Sequence, residues 1–76
     1  VKELLEALAR GLVDDPGRVR VRQRAEDGLV RLDLEVASFD RGRVIGRGGR
    51  TADALRALLD AVAARHELEC RVEILG

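Results

Sequence analysis

The stretch "RGRVIGRGGRTADALRALL", residues 41–59, holds the pattern on which the reading of this chain turns. Four glycines and four arginines fall within its first ten residues, and apolar residues at helical spacing follow at once. Glycine has no Cβ, so the backbone can turn sharply or approach another backbone closely. Arginine adds a permanent cation with several donors. Placed just before a helix, the two residue types admit two readings. One is a tight helix–helix turn with incidental arginines. The other is an anion site, because the free N–H groups and positive dipole end of a helix start favour phosphate.

The flanking sequence supplies the context. Val1, Leu4, Leu5, Leu8, Leu12 and Val13 recur at helical spacing, with Lys2, Glu3, Glu6 and Arg10 on the other side, which predicts an amphipathic helix ending near Asp14. The cluster Asp14-Asp15-Pro16-Gly17 breaks it. Residues 18–24, "RVRVRQR", alternate Arg with Val19 and Val21 and predict a short half-buried strand. Asp27-Gly28 is a hairpin turn signal. Residues 29–37 put Val30, Leu32, Leu34 and Val36 on one face of a second strand. Ser38 and Asp40 are candidate N-caps for a short helix running to Ile45, against which Phe39, the only aromatic residue, is expected to pack. After the glycines, a long helix is expected from Arg50 to about His66. Residues 68–75 then alternate as a third strand, with Leu68, Cys70, Val72 and Ile74 inward. The order helix, strand, strand, short helix, long helix, strand implies an α+β domain over residues 1–76, helices covering one face of a three-stranded sheet.

Charge singles out the same segment. The chain has net charge zero, yet residues 41–56 carry five Arg against Asp53, a local net of +4, and the segments on either side are each −2. Any attraction for a polyanion is therefore local. A single cysteine excludes an internal disulfide framework and fits a cytoplasmic setting. No apolar run is long enough to span a bilayer, so no membrane association is expected.

Two phosphate-binding loops fail on spacing. A P-loop needs a Gly five residues before Gly-Lys-Ser/Thr; counting back from Gly49 reaches Val44, and Arg50 replaces the Lys. A dinucleotide fingerprint would continue Gly46 and Gly48 with a third Gly where Thr51 stands, and would follow a strand directly. What remains is Gly-x-x-Gly between two helices, spelled Gly46-Arg47-Gly48-Gly49, with Val44-Ile45 before it and Arg50-Thr51 and Leu55 after it. Embedded in this way, and with "LVDDP" closing the first helix, it resembles the KH domain of type II across essentially the whole chain. More narrowly, it is similar to the small single-KH bacterial RNA-binding proteins. Gly48 departs from the polar or basic side chain common at that position, and makes the loop more flexible.

The resemblance implies a fold, α-β-β-α-α-β, and a function. KH domains clamp about four nucleotides of single-stranded RNA at this loop, with bases in an apolar groove. Carried onto this chain, the RNA-binding residues are Arg43, Val44, Ile45, Gly46, Arg47, Gly48, Gly49, Arg50, Thr51 and Leu55. The groove floor would be made by Val44, Ile45 and Leu55 with Leu34 and Val36 of the second strand. An RNA chaperone or post-transcriptional regulator is implied, acting without cofactor or catalysis, with a role in cell shape. Pairing with itself or with a larger KH-containing protein is implied as well.

Other residues invite simpler readings. Arg18, Arg20, Arg22 and Arg24 fit a solvated strand face that resists edge pairing better than an RNA contact. His66 sits where a helix C-terminus favours it, and Cys70 reads as a strand core residue. No nucleophile–base set and no metal-ligand spacing is present, so catalysis lacks a basis. RNA-recognition motifs and OB-folds stack bases on aromatics, of which this chain has one. The long helix has polar Asp53, Arg56 and Asp60 on one narrow stripe and Ala and Leu around the rest. That arc is covered either by the first helix or by a second subunit. A protein-interaction module built for such pairing, with RNA binding secondary, is the competing reading of the whole chain.

Overall fold

In a computed structural model, which describes residues 1–75, the elements follow the expected order. They are helix α1 (Lys2–Leu12), strands β1 (Arg20–Glu26) and β2 (Leu29–Glu35), a short helix α2 (Arg41–Ile45), a long helix α3 (Arg50–Ala64) and strand β3 (Glu69–Leu75). Single 3-10 turns occupy Pro16–Arg18, Ser38–Asp40 and Arg47–Gly49.

The sheet order is β1-β2-β3. β1 and β2 pair antiparallel, from Arg20 opposite Glu35 to Glu26 opposite Leu29. Asp27 (φ 47°) and Gly28 (φ 78°) both adopt positive φ, the two-residue turn that matches strand twist. β2 and β3 are parallel, from Leu29 opposite Glu69 to Glu35 opposite Leu75. Parallel neighbours need a crossover, and α2 and α3 provide it. β1 starts later than its alternation suggests because Pro16 opens a turn in which Val19 N–H donates to Pro16 O at 3.2 Å.

Strand alternation is converted directly into burial. Val19, Val21, Val30, Leu32, Leu34 and Val36 meet Leu5 and Ala9 of α1, Val44 of α2, and Leu55 and Leu59 of α3 in one core. The inward residues of β3, namely Leu68, Cys70, Val72 and Ile74, are only partly buried, since β3 is an edge strand. Cys70 is thus half-buried where the alternation placed it inside. Burial, with the Asp60 carboxylate adding to it, pushes its thiol pKa up.

Two expectations at the 38–40 turn are corrected. Phe39 is 65% exposed, so most of its ring faces solvent, the buried neighbours Ala37 and Asp40 taking the inward directions of the turn. Neither Ser38 nor Asp40 caps α2 through its side chain. Asp40 is instead fully buried, and its carboxylate accepts the backbone N–H groups of Asp14 (2.9 Å) and Asp15 (3.0 Å).

The end of α3 stores a removable strain. Leu68 N–H donates to Ala63 O and Glu67 N–H to Ala64 O, the paired closure in which the residue after the cap turns left-handed. That residue is Glu67, at φ 58°, where glycine is usual. Left-handed backbone costs an L-residue about 1 kcal/mol. Glu67→Gly is therefore expected to raise stability by up to about 1 kcal/mol and the midpoint of thermal unfolding by a few degrees, roughly 4–8 °C at most. A thermal melt followed by circular dichroism checks it.

Candidate nucleic-acid interface

The loop is built from both sides. α2 has five residues, too short to hold a helix by itself. Val44, fully buried, pins it onto the core, and Asp40 ties its start to the turn that closes α1. At its far end Gly46 N–H donates to Gly42 O at 2.8 Å, and Gly49 N–H then returns to Gly46 O at 3.1 Å. Gly46 (φ 75°, ψ 172°) lies in a region that only glycine enters at low cost, while Gly48 (64°, 17°) and Gly49 (80°, 9°) are left-handed. A Cβ on Gly46 would strike the Thr51 side chain and backbone nitrogen, whereas Gly48 and Gly49 face open space. So Gly46 is a packing glycine, and the outer two leave the backbone uncovered. α3 starts at Arg50 with no side-chain cap; Arg50 N–H donates to Arg47 O, and the positive end of the helix is directed at this uncovered loop.

The arginines differ in availability. Arg43 is held by Asp14 at 2.9 Å and by Asp40 at 3.4 Å. Arg56 pairs with Asp53 and donates to Val72 O. Among the described residues, Arg41, Arg47 and Arg50 have no ion-pair or side-chain hydrogen-bond partner. All three are exposed. Arg41 lies before the matched motif, and which arginines are free and which are engaged is visible only in three dimensions.

The apolar site residues divide in the same way. Val44 (0% exposed) and Leu55 (7%) belong to the core and support the loop from beneath, as do Leu34 (0%) and Val36 (4%). Of the five residues expected to floor a groove, only Ile45 keeps appreciable surface. Thr51 is half-buried against Gly46. Arg18, in the turn before β1, pairs with Asp15 (3.5 Å); on β1, Arg24 pairs with Asp33 (3.3 Å), Arg20 donates to Gly17 O (2.9 Å), and Arg22 is exposed. No group of residues suited to hold a metal ion occurs among the described residues.

Comparison with known sequences fits this geometry. The sequence model of the KhpA/KhpB KH domain matches residues 2–74. The chain belongs to this KH-domain family. One relative, RNA-binding protein KhpA of Treponema pallidum, is 47% identical over 74 residues, covering 97% of this chain and 92% of that one. RNA-binding protein KhpA of Clostridium acetobutylicum is 40% identical, covering 99% of this chain and 100% of its own length. That of Halalkalibacterium halodurans is 39% identical, with 99% of each chain covered. No solved structure matches the chain. These relatives are named as RNA-binding proteins. No helix among the described residues is long and apolar enough to cross a membrane.

The roles of the glycines can be separated by stability alone. Gly46→Ala combines a forbidden backbone region with a collision at Thr51 and should cost about 3 kcal/mol or more. Gly48→Ala meets no neighbour and should cost only about 1–2 kcal/mol. Urea unfolding of the two variants measures the difference.

Proposed function

We propose that this chain binds single-stranded RNA at the Gly46–Gly49 loop, without catalysis, as a cytoplasmic RNA chaperone or post-transcriptional regulator. One observation carries the reading. Three unpaired arginines, Arg41, Arg47 and Arg50, surround an open glycine backbone at an uncapped helix start, in a chain whose relatives are named RNA-binding proteins. Phosphates would meet the Arg47 and Gly48 N–H groups, since those of Gly46, Gly49 and Arg50 donate within the chain, and the guanidinium groups of Arg47 and Arg50, with Arg41 alongside the start of α2. A phosphate at the start of α3 would also offset the unfavourable placement of Arg50 at the positive end of that helix, a cost of about 0.3–1 kcal/mol.

The double substitution Arg47→Asp with Gly48→Asp tests the reading. Both positions are exposed and lie outside the core, so the fold should persist by circular dichroism while RNA binding is lost. A folded double variant that binds normally removes the loop from the mechanism. Salt dependence gives a second check. With Arg43 engaged, two or three free cations neutralise phosphate, which predicts a log–log slope of about −1.4 to −2.1 on single strands. Titration of matched single-stranded and duplex oligonucleotides across salt measures it. A slope steeper than about −4, or preference for duplex, transfers the contact to the arginine-bearing face of β1.

A second reading, pairing with another KH chain, has its own support. α3 uses Ala52, Leu55, Leu59 and Ala63 for the core and leaves Ala54, Leu58 and Ala61 outward. α1 covers them incompletely. An apolar groove between the helices is lined by Leu8, Leu12, Leu55 and Leu58, with Leu12 38% and Leu58 44% exposed. We infer that a second copy or a larger KH-containing protein occupies it. Leu58→Glu should then give a folded monomer, whereas Leu59→Glu, at a fully buried position, should unfold the chain. Sedimentation of the wild type and both variants decides, and a wild type strictly monomeric at high micromolar concentration excludes self-pairing.

A further inference from the structure

Asp40 is the only charged or polar residue buried among the described residues, and RNA binding at the loop does not use it. A carboxylate taken fully out of water needs close, directed partners. Asp40 has three. Its Oδ1 accepts Asp14 N–H at 2.9 Å and its Oδ2 accepts Asp15 N–H at 3.0 Å. The Arg43 guanidinium stands 3.4 Å from Oδ1 and bonds Asp14 Oδ2 at 2.9 Å. Both backbone donors belong to the turn after α1, about 25 residues away in sequence. The carboxylate sits at the first residue before α2, and the glycine loop leaves the last.

From this arrangement we infer that Asp40 is a positioning residue for the Gly46–Gly49 loop, with Arg43 as its charge partner and not a ligand of the nucleic acid. α2 is too short to orient itself, and no side chain caps it. Val44 seats it in the core between α3 and the sheet, and Asp40, with Arg43 bonded to Asp14 beside it, ties its start to the α1 turn. Val44 alone fixes the depth of the helix but not its rotation or tilt. Asp40 supplies the second point, and both of its oxygens are used, so the pose is set against the α1 turn. Gly46 N–H hangs from Gly42 O within that same helix, which passes the pose to the loop. Bonds between a backbone N–H and a carboxylate are stronger than neutral ones and more directional than a hydrophobic contact. An asparagine in the same volume offers one acceptor and sets its NH2 against the other N–H.

The proposal rests on the reading of the loop as the RNA clamp, and the test separates the two. The variants are Asp40→Asn, which keeps the shape, and Val30→Ala as a control that weakens the core at the hairpin end of the sheet. Backbone amide hydrogen exchange by NMR is measured on free protein, and affinity on a single-stranded oligonucleotide under conditions where circular dichroism shows both variants folded. In Asp40→Asn, exchange at Gly46 and Gly49 should accelerate by roughly tenfold or more, beyond any change at Leu32. RNA affinity should fall by a similar factor. Val30→Ala should accelerate exchange globally without a selective effect on the loop and keep its affinity. Uniform acceleration in Asp40→Asn, or selective acceleration with unchanged affinity, overturns the proposal. If the wild type binds no RNA, the clamp reading falls, and the exchange pattern still decides whether Asp40 positions the loop. For Arg43→Gln, a salt slope within about 0.3 of wild type supports the charge-partner role, while a loss of about 0.7 makes Arg43 a phosphate ligand and overturns that part.

Discussion

The parallel pairing of β2 with β3 is the constraint from which the rest of this small fold follows. Antiparallel strands can be joined by two residues, as β1 and β2 are, but parallel ones require the chain to return to the starting edge. Here the return is made by α2 and α3, and the glycine loop is the corner between them. Its position is therefore not that of a free surface loop. It is held on one side by Val44 in the core and on the other by Leu55 and Leu59 of α3. A loop set on packed elements keeps its backbone oriented without needing side chains of its own, and so glycines can form it.

Electrostatics in this chain work by placement and not by sum. A zero net charge gives no long-range field for steering a polyanion. Of the five arginines at and beside the loop, two are used by the fold: Arg43 on Asp14 and Asp40, and Arg56 on Asp53 and the β3 backbone. The remaining three stand where the helix dipole and open backbone also favour an anion. Exposed ion pairs such as Arg10–Glu6 or Arg31–Glu26 contribute little to stability. The pair at Asp40 differs because its carboxylate is out of water, where loss of a partner is costly.

The long helix serves two surfaces at once. Its buried residues, at positions 52, 55, 59 and 63, form one stripe against the sheet. The neighbouring stripe, through Ala54, Leu58 and Ala61, has small and apolar side chains facing solvent beside α1. A helix wholly committed to one sheet would carry polar residues there. The groove it forms with α1 reaches Thr51, which also packs under Gly46, so the apolar surface and the loop are adjacent parts of one helix start.

Local sequence was enough to read the class of fold, the element order and the loop. Alternation of Val and Leu with charged residues can satisfy only a half-buried strand, Asp27-Gly28 only a tight turn, and the glycine run only a corner between helices. The family motif rests on such local constraints and was legible for the same reason. What depended on contacts between distant segments was not. Asp40 read as a helix cap because its neighbours in sequence are a helix start. Its real donors, Asp14 and Asp15, come from another part of the chain. Phe39 read as packed because it is aromatic, yet the turn gives its two inward directions to Ala37 and Asp40. Val44 and Leu55 share the loop's motif with its exposed arginines but lie inside the core, and Arg43 lies in the same run but is bound elsewhere. Hydrophobic period and turn chemistry act between near neighbours and are written in the sequence. Burial, charge pairing and the freedom of each arginine are set when segments some 25 residues apart come into contact, and only the tertiary structure decides them.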